Sequence, residues 1–69
     1  MPIDSEQQAL AAIDSWRAKS LLAQRRYLRE ACDSLELNGM YYEQKGNEQG
    51  VARSERCLAL LRARLEELG

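Results

Sequence analysis

Histidine and phenylalanine are absent from this chain of 69 residues, and proline and tryptophan occur once each. Without histidine, the chain lacks the commonest acid–base group near neutral pH and a frequent zinc ligand. Two cysteines alone cannot complete a four-ligand zinc site, and the spacing of Cys32 and Cys57 matches neither a metal knuckle nor a redox pair. We therefore expect two reduced, semi-buried thiols, no metal and no cofactor.

Long apolar runs are absent as well. No segment approaches the roughly 20 apolar residues that span a bilayer, and the opening MPIDSEQQAL is acidic and has no apolar core like that of a secretory signal. Hydrophobic residues make up 45% of the chain and charged residues 30%, a balance that favours folding over disorder. The sequence predicts one small cytoplasmic domain over residues 1–69, with no membrane partner.

Features that support catalysis are also missing. Gly46 and Gly50 are followed by VARSER, without the lysine-serine or lysine-threonine step of a phosphate-binding loop. The thiols have no histidine to activate them, and a fold of two helices offers no deep pocket. We therefore expect a protein that is not an enzyme.

What the chain does contain is two apolar stripes with helical spacing. The first predicts a helix over about 5–37, capped by Asp4 or Ser5 and ended at Asn38 or Gly39. The second predicts a helix over about 40–68. The predicted fold is all-α, an antiparallel helical hairpin. The stripes comprise Ala9, Leu10, Ile13, Leu21, Tyr27, Leu28, Ala31 and Leu35 in the first helix, and Val51, Leu58, Leu61, Leu65 and Leu68 in the second.

Residues 40–50 leave two alternatives open. A continuous helix, which we favour, aligns Gly46, Gly50 and Ser54 at four-residue spacing. Otherwise glycine and asparagine near 45–50 break the helix and leave a third, short one. A turn near residue 38 would set residues 17–29 beside 47–59. It would also place Gln24 near Ser54, either as a buried polar layer or as a section that faces a protein groove.

One segment resembles a known family. Residues 38–65, NGMYYEQKGNEQGVARSERCLALLRARL, are similar to the helix-turn-helix of a tetratricopeptide repeat in their paired tyrosines, the following glycine and the leucine-rich second half. The resemblance covers less than half the chain, has one extra residue before Gly46 and occurs in a single copy. It implies a helix pair. A single repeat cannot bury its own apolar face, and we carry no function over from it.

Positive charge is gathered in two segments. Residues 15–29 hold five basic side chains and no acid, and residues 49–65 hold four against one acid. In the predicted hairpin these segments form a positive belt, in which Leu22 and Leu60 project outward. Arg26 and Arg29 have local acids at four-residue spacing, whereas no local pair is expected for Arg17, Lys19, Arg53 and Arg64. The alternative is that the arginines merely solvate the helices. The candidate partner-binding residues are Arg17, Lys19, Leu22, Arg25, Arg26, Arg29, Arg53, Arg56, Leu60 and Arg64.

These patterns predict a non-catalytic interaction module that binds and regulates a larger protein as an inhibitor, adaptor or small chaperone. The alternative is a nucleic-acid-binding regulator that uses the belt, although the acidic pI of about 5.4, the presence of only two lysines and the lack of helix-turn-helix spacing weigh against it. We also expect a homodimer that forms a four-helix bundle. The stripes are wider than one partner helix covers, and Trp16 and Tyr27 lie on the same margin.

Overall fold

The computed structural model describes residues 3–69 and is all-helical over that range. It contains α1 (Glu6–Trp16), α2 (Leu21–Gln44) and α3 (Glu48–Leu68), and none of the described residues is in a strand. The predicted all-α class is confirmed. The predicted helix bounds are wrong at two places, and both errors change which residues meet.

The first error is the single helix over 5–37, because the chain leaves the helix after Trp16 and resumes at Leu21. The backbone N–H of Lys19 donates to the carbonyl of Trp16 at 2.9 Å. Ser20 then caps α2, since its hydroxyl accepts a hydrogen bond from the N–H of Ala23 at 3.1 Å. A serine that satisfies a free amide at a helix start stabilises that start by about 1 kcal/mol, so this local cap overrides the periodicity.

The second error is the stop at residues 38–39, because α2 continues to Gln44 and the chain turns at residues 45–47. Gly46 adopts a positive φ of 70°, which glycine tolerates without steric cost. The N–H of Asn47 donates to the carbonyl of Tyr42 at 2.8 Å, and the N–H of Gly46 donates to that of Glu43 at 3.1 Å. These two bonds form a Schellman motif. The favoured continuous helix over 40–68 is therefore wrong. The alternative break near residues 45–50 is present at 45–47, although residues 40–44 belong to α2 and form no short helix of their own.

Asn47 serves both helices at this turn. While its backbone N–H closes α2, its side-chain oxygen accepts a hydrogen bond from the N–H of Gly50 at 3.0 Å and caps α3. The two helices run antiparallel, as the contacts between them show. Near one end of the pair Arg25 donates to the carbonyl of Leu68 at 3.2 Å, and near the other Gly39 faces Ser54.

The later turn changes the register of the hairpin. Gln24 bonds to Arg64 rather than lying near Ser54, which packs beside Gly39 instead. The predicted polar layer between Gln24 and Ser54 is therefore wrong, although both side chains are buried.

The short helix α1 covers one side of the α2–α3 pair. Glu6 at its start accepts a hydrogen bond from Arg56 of α3 at 2.9 Å, and Trp16 at its end stacks on Tyr27 of α2 with ring centroids 5.6 Å apart. The predicted dimer was expected to cover these margins, so α1 removes the reason given for it. The buried core consists of Ile3, Ala9, Ala12, Ile13, Leu28, Cys32, Leu35, Cys57, Leu58 and Leu61.

Candidate interaction surface

A row of exposed side chains follows α2 at intervals of three and four residues, which places them on one side of the helix. Three of them are large and apolar, with exposed fractions of 76% for Leu22, 67% for Leu37 and 58% for Met40. The others are charged and exposed. We call this row the outer face of α2; its members are Leu22, Arg26, Arg29, Asp33, Leu37 and Met40.

Four of the predicted candidates lie together at the amino-terminal half of this face, three of them on it and Arg25 beside it. They line a shallow depression of about 500 Å³, together with Glu30, Asp33 and Gly69. We call Leu22, Arg25, Arg26 and Arg29 the basic surface.

The arginines of the basic surface differ in how they are engaged. Arg25 donates to the carbonyls of Leu68 and Gly69, where the dipole of α3 favours a cation. Arg26 forms an exposed ion pair with Glu30 at 3.3 Å. Arg29 makes no ion pair with any other residue in the range 3–69, so its guanidinium is available for an external carboxylate.

Two other candidates are engaged in exposed ion pairs away from this surface. Arg17 pairs with Asp14 at 2.9 Å on the last turn of α1, and Arg56 pairs with Glu6 at 2.9 Å between α3 and α1. The expectation that Arg17 lacks a local acid is wrong, since Asp14 lies three residues before it. Exposed pairs of this kind contribute about 0–1 kcal/mol each to the free energy of folding.

Two further cations lie over aromatic rings. Lys19 places its ammonium 5.6 Å from the ring of Tyr27, and Arg53 lies 5.9 Å from the ring of Tyr42. Arg53 lies near the α2–α3 turn, far along the hairpin from the basic surface. The predicted positive belt is therefore wrong, because the later turn moves the second basic segment away from the first.

Leu60 was expected to project outward and Arg64 to have no acid three or four residues away, and both expectations are wrong. Leu60 is partly buried and packs against the core. The side chain of Arg64 is only 15% exposed and pairs with Glu67 at 3.2 Å. It also donates to Gln24 at 3.1 Å, and Gln24 in turn donates to the carbonyl of Lys19 at 2.9 Å. This network ties α3 to the α1–α2 connection, so Arg64 is placed to stabilise the fold.

A groove of about 640 Å³, which the sequence did not reveal, lies between α1 and α2. Its lining mixes apolar side chains with one carboxylate, two hydroxyls and one amide, and it contains no cluster of groups that would support catalysis. The shared margin of Trp16 and Tyr27 was the only sequence signal for it. The lining residues are Ile3, Trp16, Tyr27, Glu30, Ala31, Ser34, Leu35 and Asn38.

Both cysteines are buried and free, as predicted. Burial raises the pKa of the Cys32 thiol above its ordinary 9.0; Arg62 opposes the rise, and Glu36 and Asp33 add to it. Burial raises the pKa of Cys57 in the same way. Within residues 3–69 no three side chains of the kinds that hold metals cluster together, and no helix there has the length and apolarity needed to cross a bilayer.

The raised thiol pKa values predict a loss of stability in alkali. A group whose pKa is higher in the folded state contributes stability below its unfolded pKa and loses it as pH rises through the folded value. The free energy of unfolding should therefore fall as pH rises above 9.0. Urea unfolding at neutral pH and above this value measures the fall, and the double variant Cys32→Ala/Cys57→Ala should show a smaller one. An identical fall in both proteins would assign it to other groups.

Comparisons with known protein families, with curated proteins and with solved structures find no significant match to this chain. The likeness to a tetratricopeptide repeat therefore remains a resemblance of one helix pair.

Proposed function

We propose that this chain is a non-catalytic interaction protein that binds and regulates a larger protein through the outer face of α2. The observation that carries the proposal is the exposure of Leu22, at 76%, between arginines on a surface of a very small domain. Leu37 and Met40 continue the exposed apolar row along the same helix. Apolar side chains grouped on a surface and rimmed by polar ones are typical of interaction sites.

The charges on this face indicate what kind of partner fits it. Arginine is enriched at protein interfaces because its planar guanidinium forms paired hydrogen bonds with a carboxylate and packs its stem on apolar groups. Arg26 and Arg29 follow Leu22 along the helix, and Arg29 has no ion-pair partner among the described residues. The proposed partner therefore presents an acidic site next to an apolar one. Inhibitors, adaptors and small chaperones all act through such contacts.

Nucleic-acid binding has weaker support. Tracking a phosphate backbone requires basic side chains along a continuous surface, whereas Arg53 and Arg56 lie beside Tyr42 and Glu6, away from the basic surface. Chromatography on heparin or DNA at low salt discriminates between the two functions. We expect little retention, and strong retention that salt abolishes would favour the nucleic-acid alternative.

The double variant Arg26→Glu/Arg29→Glu should lose the partner while it keeps its fold. Both side chains are exposed, and exposed substitutions usually change the free energy of unfolding by less than about 0.5 kcal/mol. Reversing both charges repels an acidic site and slows its encounter with this face. The measurement is affinity capture from native extract with wild type and variant, followed by mass spectrometry of the proteins whose recovery differs.

The matched control is Arg17→Glu/Lys19→Glu, which changes the formal charge by the same amount outside the outer face of α2. Circular dichroism should show equal helicity in all three proteins. Equal capture by wild type and the Arg26/Arg29 variant would mean that these arginines only keep α2 hydrated and do not contact the partner. Equal loss in both variants would assign the effect to net charge instead of this face.

A further inference from the structure

We propose that the outer face of α2 pairs with the same face of a second copy of this chain, with the two helices antiparallel. An interface between identical copies must be complementary to itself. The face meets this requirement because its two halves differ. Basic side chains follow Leu22 in the first half, and an acid followed by apolar side chains forms the second, from Asp33 through Leu37 to Met40.

The spacing of the apolar residues sets the register of the pair. Leu22 and Met40 lie 18 residues apart, which is about five full helical turns at 3.6 residues per turn, so they project in the same direction. A two-fold axis at the level of Ala31 lies midway between them. It therefore sets Leu22 of each copy opposite Met40 of the other, at both ends of the paired segment.

The same register pairs the charges. Arg29 and Asp33 lie equally far from the axis, so each arginine faces the aspartate of the other copy. Neither side chain takes part in an ion pair anywhere in residues 3–69, although their four-residue spacing permits one within the helix. Two reciprocal arginine–aspartate pairs therefore form without breaking an existing pair.

Leu37 also finds a suitable neighbour in this arrangement. It lies level with Arg25 and Arg26 of the other copy, and Arg26 is on the same outer face. The methylene stem of an arginine covers apolar surface while its charged end stays in water, so Arg26 can cover Leu37 and keep its pair with Glu30. The whole contact extends over about 27 Å of α2, from Leu22 to Met40.

The groove between α1 and α2 is the weaker location for the second copy. Trp16 and Tyr27, which line it, already stack on each other. Its lining also lacks the paired opposite charges that make the outer face of α2 complementary to itself. One consequence rests on the proposed function: the second copy covers the basic surface, so self-association and partner capture compete.

Sedimentation of the pure protein tests the pairing without any partner. At tens of micromolar we expect a mass twice the 7.9 kDa of one chain. Arg29→Asp sets aspartate against aspartate across the axis, and Asp33→Arg sets arginine against arginine. Each variant alone should therefore sediment as a monomer.

Mixing the two variants in equal amounts should restore the doubled mass, because every charge then faces its opposite. The double variant Arg29→Asp/Asp33→Arg should also self-associate, since it exchanges the two charges within one chain. A monomeric wild type at these concentrations overturns the proposal. So does a dimer that the single variants leave intact or that their mixture does not restore. Partner capture in extract is measured separately, so failure of the self-pairing can be distinguished from failure of the proposed function.

Discussion

Replacing Leu28 with alanine should unfold a large fraction of this protein. The side chain is 1% exposed and is among the largest fully buried ones. Removing most of a buried leucine costs about 2–5 kcal/mol, because contacts are lost and the cavity closes only in part. At roughly 0.1 kcal/mol per residue, a domain of this size has a total stability of only several kcal/mol. Urea unfolding followed by circular dichroism measures the loss.

Leu22→Ala is the matched control, because it makes the same chemical change on the same helix. Leu22 is 76% exposed, so its replacement should change the free energy of unfolding of the monomer by less than about 0.5 kcal/mol. The comparison is made at a dilution that favours single chains, since a second copy would cover Leu22. Similar losses for both variants under those conditions would contradict the placement of Leu28 in the core.

Periodicity was sufficient to predict the fold class and much of the core. Leucines that recur at helical spacing point in one direction whatever the helix bounds are, and Leu28, Leu35, Leu58 and Leu61 are all buried. The start of α1 was also predictable, because serine is a favoured residue at the start of a helix. In the structure Ser5 accepts a hydrogen bond from the N–H of Gln8 at 3.2 Å. These features depend on residues close together in the sequence, so a local sequence pattern is enough to predict them.

The turn between α2 and α3 was harder to place, because two glycines compete for it. Gly39 and Gly46 each permit a left-handed residue, yet only Gly46 adopts one. The asparagine that follows Gly46 was the useful signal, since Asn47 both completes the end of α2 and caps α3. Gly39 lies inside a helix and faces Ser54, a contact that depends on the tertiary arrangement.

The register then determined which predicted site residues stay together. Those on a single helix, Arg25, Arg26 and Arg29, lie on one surface because their separation is fixed by the helix itself. Arg64 depends on the neighbouring helix and is held in a network with Gln24. Its acid three residues later, Glu67, was visible in the sequence and was overlooked. The grouping of site residues on one helix therefore survived the change of register, whereas their grouping across two helices did not.

The contact between Gly50 and Tyr42 gives the second large effect. A Cβ atom at position 50 would lie 2.5 Å from Cγ of Tyr42 and 2.6 and 2.8 Å from the two ring atoms bonded to it. These atoms are at the base of the ring, so small rotations cannot clear them. Gly50→Ala should lower the free energy of unfolding by about 1–3 kcal/mol, the usual cost of overpacking. It should do so although alanine is favoured over glycine in a helix by about 1 kcal/mol.

Gly39→Ala is the matched control for this change, since it adds the same methyl group to the other helix of the pair, at a position that faces Ser54. There a Cβ would lie 3.7 Å from that of Ser54, which is ordinary contact, so the helical preference for alanine should raise stability by about 0.5–1 kcal/mol. The two substitutions should therefore change the free energy of unfolding in opposite directions. Urea midpoints measure both changes and distinguish the effect of close packing from that of helix propensity. In a Tyr42→Ala background the ring is absent, and Gly50→Ala should then be neutral or stabilising. A loss that persists there would show that the ring is not what excludes a side chain at position 50.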